Sequence, residues 1–130
     1  MTETKYFTPD EAQLTLPLVK KIVKDILDTT KEIRLLAEDL EGAIEDNPEI
    51  KKMVDDVNGF MRELEEIGCF YKDWNFSVGL VDFPAVINGE DVFLCWRSDE
   101  EDIRYYHDLE KGYAGRKSIP DKYFKEQIKN

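Results

Sequence analysis

Leu80-Val81-Asp82-Phe83-Pro84-Ala85-Val86-Ile87-Asn88-Gly89-Glu90-Asp91-Val92-Phe93-Leu94-Cys95-Trp96-Arg97 is the stretch that decides the architecture. Two runs rich in β-branched and aromatic residues flank Asn88-Gly89, a pair that tolerates the positive φ of a type I′ turn, so a two-residue β-hairpin is predicted. With that turn, Ile87 faces Glu90, Ala85 faces Val92, Phe83 faces Leu94 and Val81 faces Trp96, an apolar face that should cover other elements. The opposite face pairs Val86 with Asp91, Pro84 with Phe93, Asp82 with Cys95 and Leu80 with Arg97. Pro84 offers no amide donor, which makes its strand an edge at least locally. Downstream, Ser98–Asp102 is a polar turn and Ile103–His107 returns as a third strand. The length of that turn decides its register, and a one-residue slip moves Ile103, Tyr105 and His107 together to the other face. Gly112–Lys117 reads as a loop, followed by a short helix after Pro120.

Upstream of the hairpin the periodicity changes from two to between three and four. Thr8-Pro9-Asp10-Glu11 is a capping box with proline at the first helical position. Leu16, Val19, Val23, Ile26, Thr30, Ile33, Ala37, Leu40 and Ile44 then form a seam of the kind that packs helices as a coiled coil. Ile22, Leu36 and Ala43 widen it, so this helix should touch more than one neighbour. Pro17 predicts a kink or a restart, because its ring nitrogen cannot donate to the Gln13 carbonyl. Asn47-Pro48 caps a second helix, whose seam is Ile50, Met53, Val57, Phe60, Leu64 and Ile67. Gly68 stops it, with Cys69 placed for the apolar contact that follows such a stop. The short connection makes the two helices antiparallel neighbours.

The expected fold is therefore α+β: a long antiparallel helical hairpin over residues 9–68, then a small antiparallel β-meander with a Gly/Arg loop over 69–117, and a tail over 118–130. The length of 130 residues fits a single domain. The seams are wider than two helices and one small sheet can cover, which predicts a homodimer, most simply through a four-helix arrangement.

Charge narrows the function classes. The chain carries 29 acidic and 18 Lys/Arg side chains, a formal net of -11, which repels phosphate backbones and argues against general nucleic-acid or anionic-membrane binding. No apolar run has membrane-spanning length and no leader-like segment follows Met1. Cys69 and Cys95 form neither a disulfide framework nor a metal-spacing motif, so a cytoplasmic, reducing location is expected, without a cofactor. The excess of acid is local. Residues 38–66 carry 11 acids against Lys51, Lys52 and Arg62, whereas 111–130 carry six bases against Asp121 and Glu126. A solvated helical face accounts for the acidic block; the sharper alternative docks the basic tail on it.

In order along the chain stand Tyr6-Phe7-Thr8, Leu16-Pro17, Gly79-Leu80-Val81-Asp82-Phe83-Pro84-Ala85, Leu94-Cys95-Trp96-Arg97 and Tyr106-His107-Asp108-Leu109-Glu110-Lys111-Gly112-Tyr113-Ala114-Gly115-Arg116. This string resembles a small prokaryotic family filed as a domain of unknown function, number twenty-two-oh-three, from Tyr6 to about Ile119. Tyr106 and Tyr113 stand where family members tend to carry Trp and Phe, and Asp108 where they carry Glu. The resemblance implies a small stand-alone domain without an assigned activity, and puts weight on Asp82, Trp96, His107, Gly112, Gly115 and Arg116.

With Glu110 added as a carboxylate close to His107 in sequence, the candidate site is Asp82, His107, Glu110, Arg116 and Trp96. His107 is the only histidine, so imidazole chemistry in one subunit must use it. One reading hydrogen-bonds it to Asp82 or a main-chain carbonyl at a strand end; the other sets it with Asp82 and Glu110 as metal ligands or acid and base. Asp82, an acid in an apolar strand, must face water or be paired. Arg97, Arg104 and Arg116 are its candidate partners, and a buried Asp82–Arg116 pair is the structural expectation. The rival is an anion pocket built by Arg116, Lys117 and the amides around Gly112 and Gly115. Cys95 faces a carboxylate and reads as a buried structural residue, as does Cys69. Trp96, Tyr105, Tyr106 and Tyr113 form a core layer, an interface or a pocket wall. Three functions follow: a non-enzymatic homodimeric assembly module with a protein partner, a small-anion binder using Arg116, or a metal-dependent enzyme using His107, Asp82 and Glu110.

Overall fold

The computed structural model describes residues 4–40, 45–73 and 75–124. Helix α1 spans Pro9–Asp39 and α2 spans Pro48–Ile67. The Thr8 hydroxyl accepts from the Glu11 amide at 3.1 Å and the Glu11 carboxylate accepts from the Thr8 amide at 2.8 Å, which completes the capping box. Asn47 caps α2 by accepting from the Ile50 amide at 3.0 Å. Gly68 ends it at φ +112°, donating to the Glu65 and Leu64 carbonyls, a conformation a Cβ would strain. Lys5 and Phe7 lie against Gly68, and Thr30–Arg34 shares a cleft with Val54–Met61, so the helices run antiparallel.

The expected restart at Pro17 does not occur; α1 is continuous through it. Pro17 lies on the exposed side of the helix, where water can take the Gln13 carbonyl that proline leaves unpaired. Ala43 and Ile44, the end of the expected seam, lie outside the described residues.

The sheet has five antiparallel strands in sequence order: β1 Phe70–Tyr71, β2 Leu80–Ile87, β3 Glu90–Arg97, β4 Tyr105–Asp108 and β5 Lys117–Ser118. Asn88 and Gly89 turn at φ +53° and +79°, the two left-handed positions of a type I′ turn. The register pairs Phe83 with Leu94 and Asp82 with Cys95 as the hairpin demands. β2 is an edge only beside its proline: β1 pairs with Val81 and Asp82, while the Pro84 carbonyl accepts from the Phe7 amide at 2.7 Å. A three-residue 3₁₀ turn at Asp121–Tyr123 follows Pro120.

Val81, Phe83, Ala85, Ile87, Val92, Leu94 and Trp96 face the helices and are buried against Leu16, Val19, Val23, Ile26, Val57 and Leu64. Phe7 packs edge-on to Phe83 with ring centroids 5.2 Å apart. Burying each large apolar side chain contributes on the order of 1.5–3 kcal/mol, so this layer dominates the stability. Among the described residues of α1, none beyond Thr30 is buried. Towards the far end of the hairpin, Ile33 and Arg34 share a cleft with Val54, Met61 and Phe76.

The third strand settles the register. Phe93 pairs with His107 and Cys95 with Tyr105, so Tyr105 and His107 join the face of Asp82, away from the helices. Ile103 does not move with them, contrary to expectation. It precedes β4, donates its amide to Gln13 Oε1 at 2.7 Å and enters the core, because strand alternation applies only from Tyr105 onward.

Candidate functional site

The outer face of the sheet is arranged in rows set by the pairing. Phe70, Asp82, Cys95 and Tyr105 form one row across β1–β4, and Pro84, Phe93 and His107 the next. Asp82 and His107 stand two strands apart, about 9–10 Å between backbones. The imidazole closes that span by reaching over β3, so that Nε2 lies 3.1 Å from Asp82 Oδ1. Nδ1 lies 2.7 Å from the Asp108 carbonyl oxygen. A carbonyl can only accept, so Nδ1 carries a proton and the ring orientation is fixed.

Cys95 lies between the two. Asp82, Cys95 and His107 each offer a ligand atom, and these atoms lie within 4.8 Å of one another. Exposures of 5%, 2% and 3% place all three out of water. Phe93 shields the imidazole at 5.7 Å between ring centroids, and the Lys72 ammonium sits over Phe93 at 5.7 Å. The Asp82 hydrogen bond above all, then the one to Cys95, raises the His107 pKa from 6.5 to about 10; the Asp108 carbonyl adds to this and burial opposes it. At neutral pH the imidazole is therefore protonated, and Nε2 donates to Asp82 Oδ1. Both imidazole nitrogens are engaged, so His107 has no free lone pair for proton abstraction.

Arg116 does not pair with Asp82. Its segment leads into β5, on the side of β4 away from β2, which places the guanidinium over Tyr105 at 4.2 Å and Tyr113 at 4.7 Å. Nη2 donates to Glu100 Oε1 at 2.6 Å and to the Cys95 carbonyl at 3.1 Å. The same Glu100 oxygen accepts from the Arg97 amide at 2.8 Å, and the Glu100 carbonyl accepts from Trp96 Nε1 at 2.9 Å. Arg97 donates to the Tyr113 hydroxyl at 2.7 Å and pairs with Asp99. Arg104 is paired with Asp102.

Two of the five candidate residues therefore meet: Asp82 and His107. Trp96 is buried on the opposite, helix-facing side, where it borders a cleft of about 460 Å³ with Lys20, Val23 and Leu27. Glu110 is exposed in the turn after β4, its amide donating to the Asp108 carboxylate at 3.1 Å. Two residues at the site were not among the five candidates. Cys95 was legible as the cross-strand partner of Asp82, but its approach to His107 required the register of β4. Glu100 carried no signal, because its role follows from the path of the Ser98–Asp102 turn. Cys69 is inert: burial pushes its thiol up to about 12. Asp82, His107 and Arg116 line none of three clefts of about 580, 460 and 300 Å³.

Fold and cluster together define a class: a small α+β protein whose helical hairpin backs one face of an antiparallel sheet while the other face holds a buried Asp–Cys–His group. The chain belongs to the family described as "Uncharacterized conserved protein (DUF2203)", whose match covers residues 5–119. No curated protein and no solved structure matches it. Among the described residues no helix is long and apolar enough to cross a membrane.

Proposed function

We propose that the protein is a non-enzymatic assembly module that forms a homodimer through the far end of its helical hairpin. The observation that carries this reading is an apolar stripe beyond the sheet that is only half covered: its inner residues are buried and its outer ones are exposed. Thr30, Ile33, Arg34, Val54, Val57 and Met61 line a cleft of about 300 Å³ with Phe76 at its edge, while Leu35 and Val54 are 53% and 43% exposed. Phe76 is held there at φ +55°, a left-handed conformation unusual for a bulky residue. The Asp73 carboxylate supports the loop by accepting from the Asn75, Ser77 and Val78 amides.

The occupant we assign is a second copy of the same hairpin. Lys31 follows Thr30 on α1, and Asp55 follows Val54 on α2. A twofold-related copy can set these unlike charges opposite one another while burying both stripes. A protein partner other than a second copy is the competing occupant. A small-anion pocket receives less support, since Arg116 is already stacked on two tyrosines and bonded to Glu100 and the Cys95 carbonyl. An enzyme using His107, Asp82 and Glu110 receives less, since two are buried and the third lies apart on the surface.

Size-exclusion chromatography with light scattering on the full chain tests the proposal. A dimer is expected, and Val54→Asp should give a folded monomer, because substitutions at such exposed positions change stability by only about 0.5 kcal/mol. A strict monomer at every concentration overturns the reading.

A further inference from the structure

We propose that Asp82, Cys95 and His107 form a binding site for a transition-metal dication of the zinc type, which clamps β2, β3 and β4 together on the face turned away from α1 and α2. The donors are one carboxylate oxygen, one thiol sulfur and one imidazole nitrogen, a mixed set that suits zinc-like ions and disfavours the oxygen-seeking magnesium and calcium. Each comes from a different strand, and they converge within 4.8 Å. Around a tetrahedral ion with bonds of about 2.0–2.3 Å, such donors lie roughly 3.3–3.8 Å apart, so the present spacing needs only small side-chain rotations.

The His107 ring is oriented as a metal ligand is. Its Nδ1–H donates to the Asp108 main-chain carbonyl, the outer contact that ligating histidines make, and this directs Nε2 into the cluster. An Asp–His pair by itself needs no third group, yet the buried Cys95 Sγ lies within 4.8 Å of the ligand atoms of both. Ligation requires Nε2 and Sγ free of protons, so any proton they carry leaves as the ion enters. Three protein donors leave one tetrahedral position for water.

The test strips the full-length protein with a chelator, then titrates it separately with zinc and cobalt(II) ions. One equivalent per chain, a raised Tm and a thiolate-to-cobalt charge-transfer band in the near ultraviolet are expected. Cys95→Ser should abolish the band and weaken zinc affinity by at least about tenfold; Cys69→Ser should change neither. Absence of saturable uptake overturns the proposal. Uptake by the wild type without the thiolate band does so too, as does a band that survives in Cys95→Ser. Should Cys95→Ser fail to fold, the wild-type cobalt spectrum and its retention in Cys69→Ser decide. Oligomeric state is read separately, so the dimer and the metal site stand or fall independently.

Discussion

The two faces of the β2–β3 hairpin are built from alternate residues of the same strands and are held by opposite chemistry. The inner face is a continuous apolar layer, Val81, Phe83, Ala85 and Ile87 against Val92, Leu94 and Trp96, closed by the helices. The outer face is turned away from α1 and α2, yet it buries Asp82, Cys95 and His107, with Phe93 against the imidazole and the Arg116 guanidinium near the Tyr105 and Tyr113 rings. The inner face is non-directional and tolerates adjustment. The outer face depends on hydrogen bonds whose loss leaves a buried charge uncompensated. Burial alone therefore does not mark a core: the same low exposure reports hydrophobic stabilisation on one side and a specified polar cluster on the other.

The inner face should give the largest effect. Phe83→Ala removes a fully buried ring packed on Phe7 and is expected to cost about 3–5 kcal/mol in a denaturant titration. A loss under about 1 kcal/mol would show that the helices do not depend on this layer.

The next effect comes from the outer face, in chelator-treated protein. The groups facing His107 are Asp82 from β2, Cys95 from β3 and the Asp108 carbonyl from β4, with Lys72 above Phe93. Because the folded pKa rises from 6.5 to about 10, the folded state holds the proton more tightly than the unfolded chain. The pair's contribution is fully present below pH 6.5 and is lost as pH rises towards 10. Asp82→Asn keeps the shape and removes the charge, so it should lower stability at neutral pH by about 2–3 kcal/mol and flatten that decline. Parallel pH profiles for variant and wild type would sink the ion-pair account.

The smallest effect belongs to the stacked arginine. Arg116→Lys keeps the charge but loses the planar stack and the donor geometry towards Glu100 and the Cys95 carbonyl. A cost of about 1–2 kcal/mol is expected in thermal unfolding. An unchanged Tm would show that the tyrosines, not the guanidinium, hold this corner.

The inner face was legible in the sequence because Asn88-Gly89 fixes a two-residue turn, and a fixed turn fixes every pair behind it. The helix ends were legible for a similar reason, since Thr8, Asn47 and Gly68 act on backbone groups within a few residues. The candidate site was legible only in part. Asp82 stood out as an acid in an apolar strand, and its placement opposite Cys95 followed from the hairpin. Its pairing with His107 rather than Arg116 did not follow, because both partners lie beyond a turn whose length no local rule sets. β1 and β5, two residues each, carry too few side chains for a period to emerge.

The sequence by itself thus determined the two helices, their caps, the hairpin register and which strand face is apolar, all consequences of short-range geometry and of period. The tertiary structure alone decided that His107 reaches across Cys95 to Asp82, that Arg116 turns to Glu100, and that Ile103 leaves its expected face for the core. Those outcomes depend on strand order and on how far a side chain can reach between strands, neither of which is written in the spacing of residues along one segment.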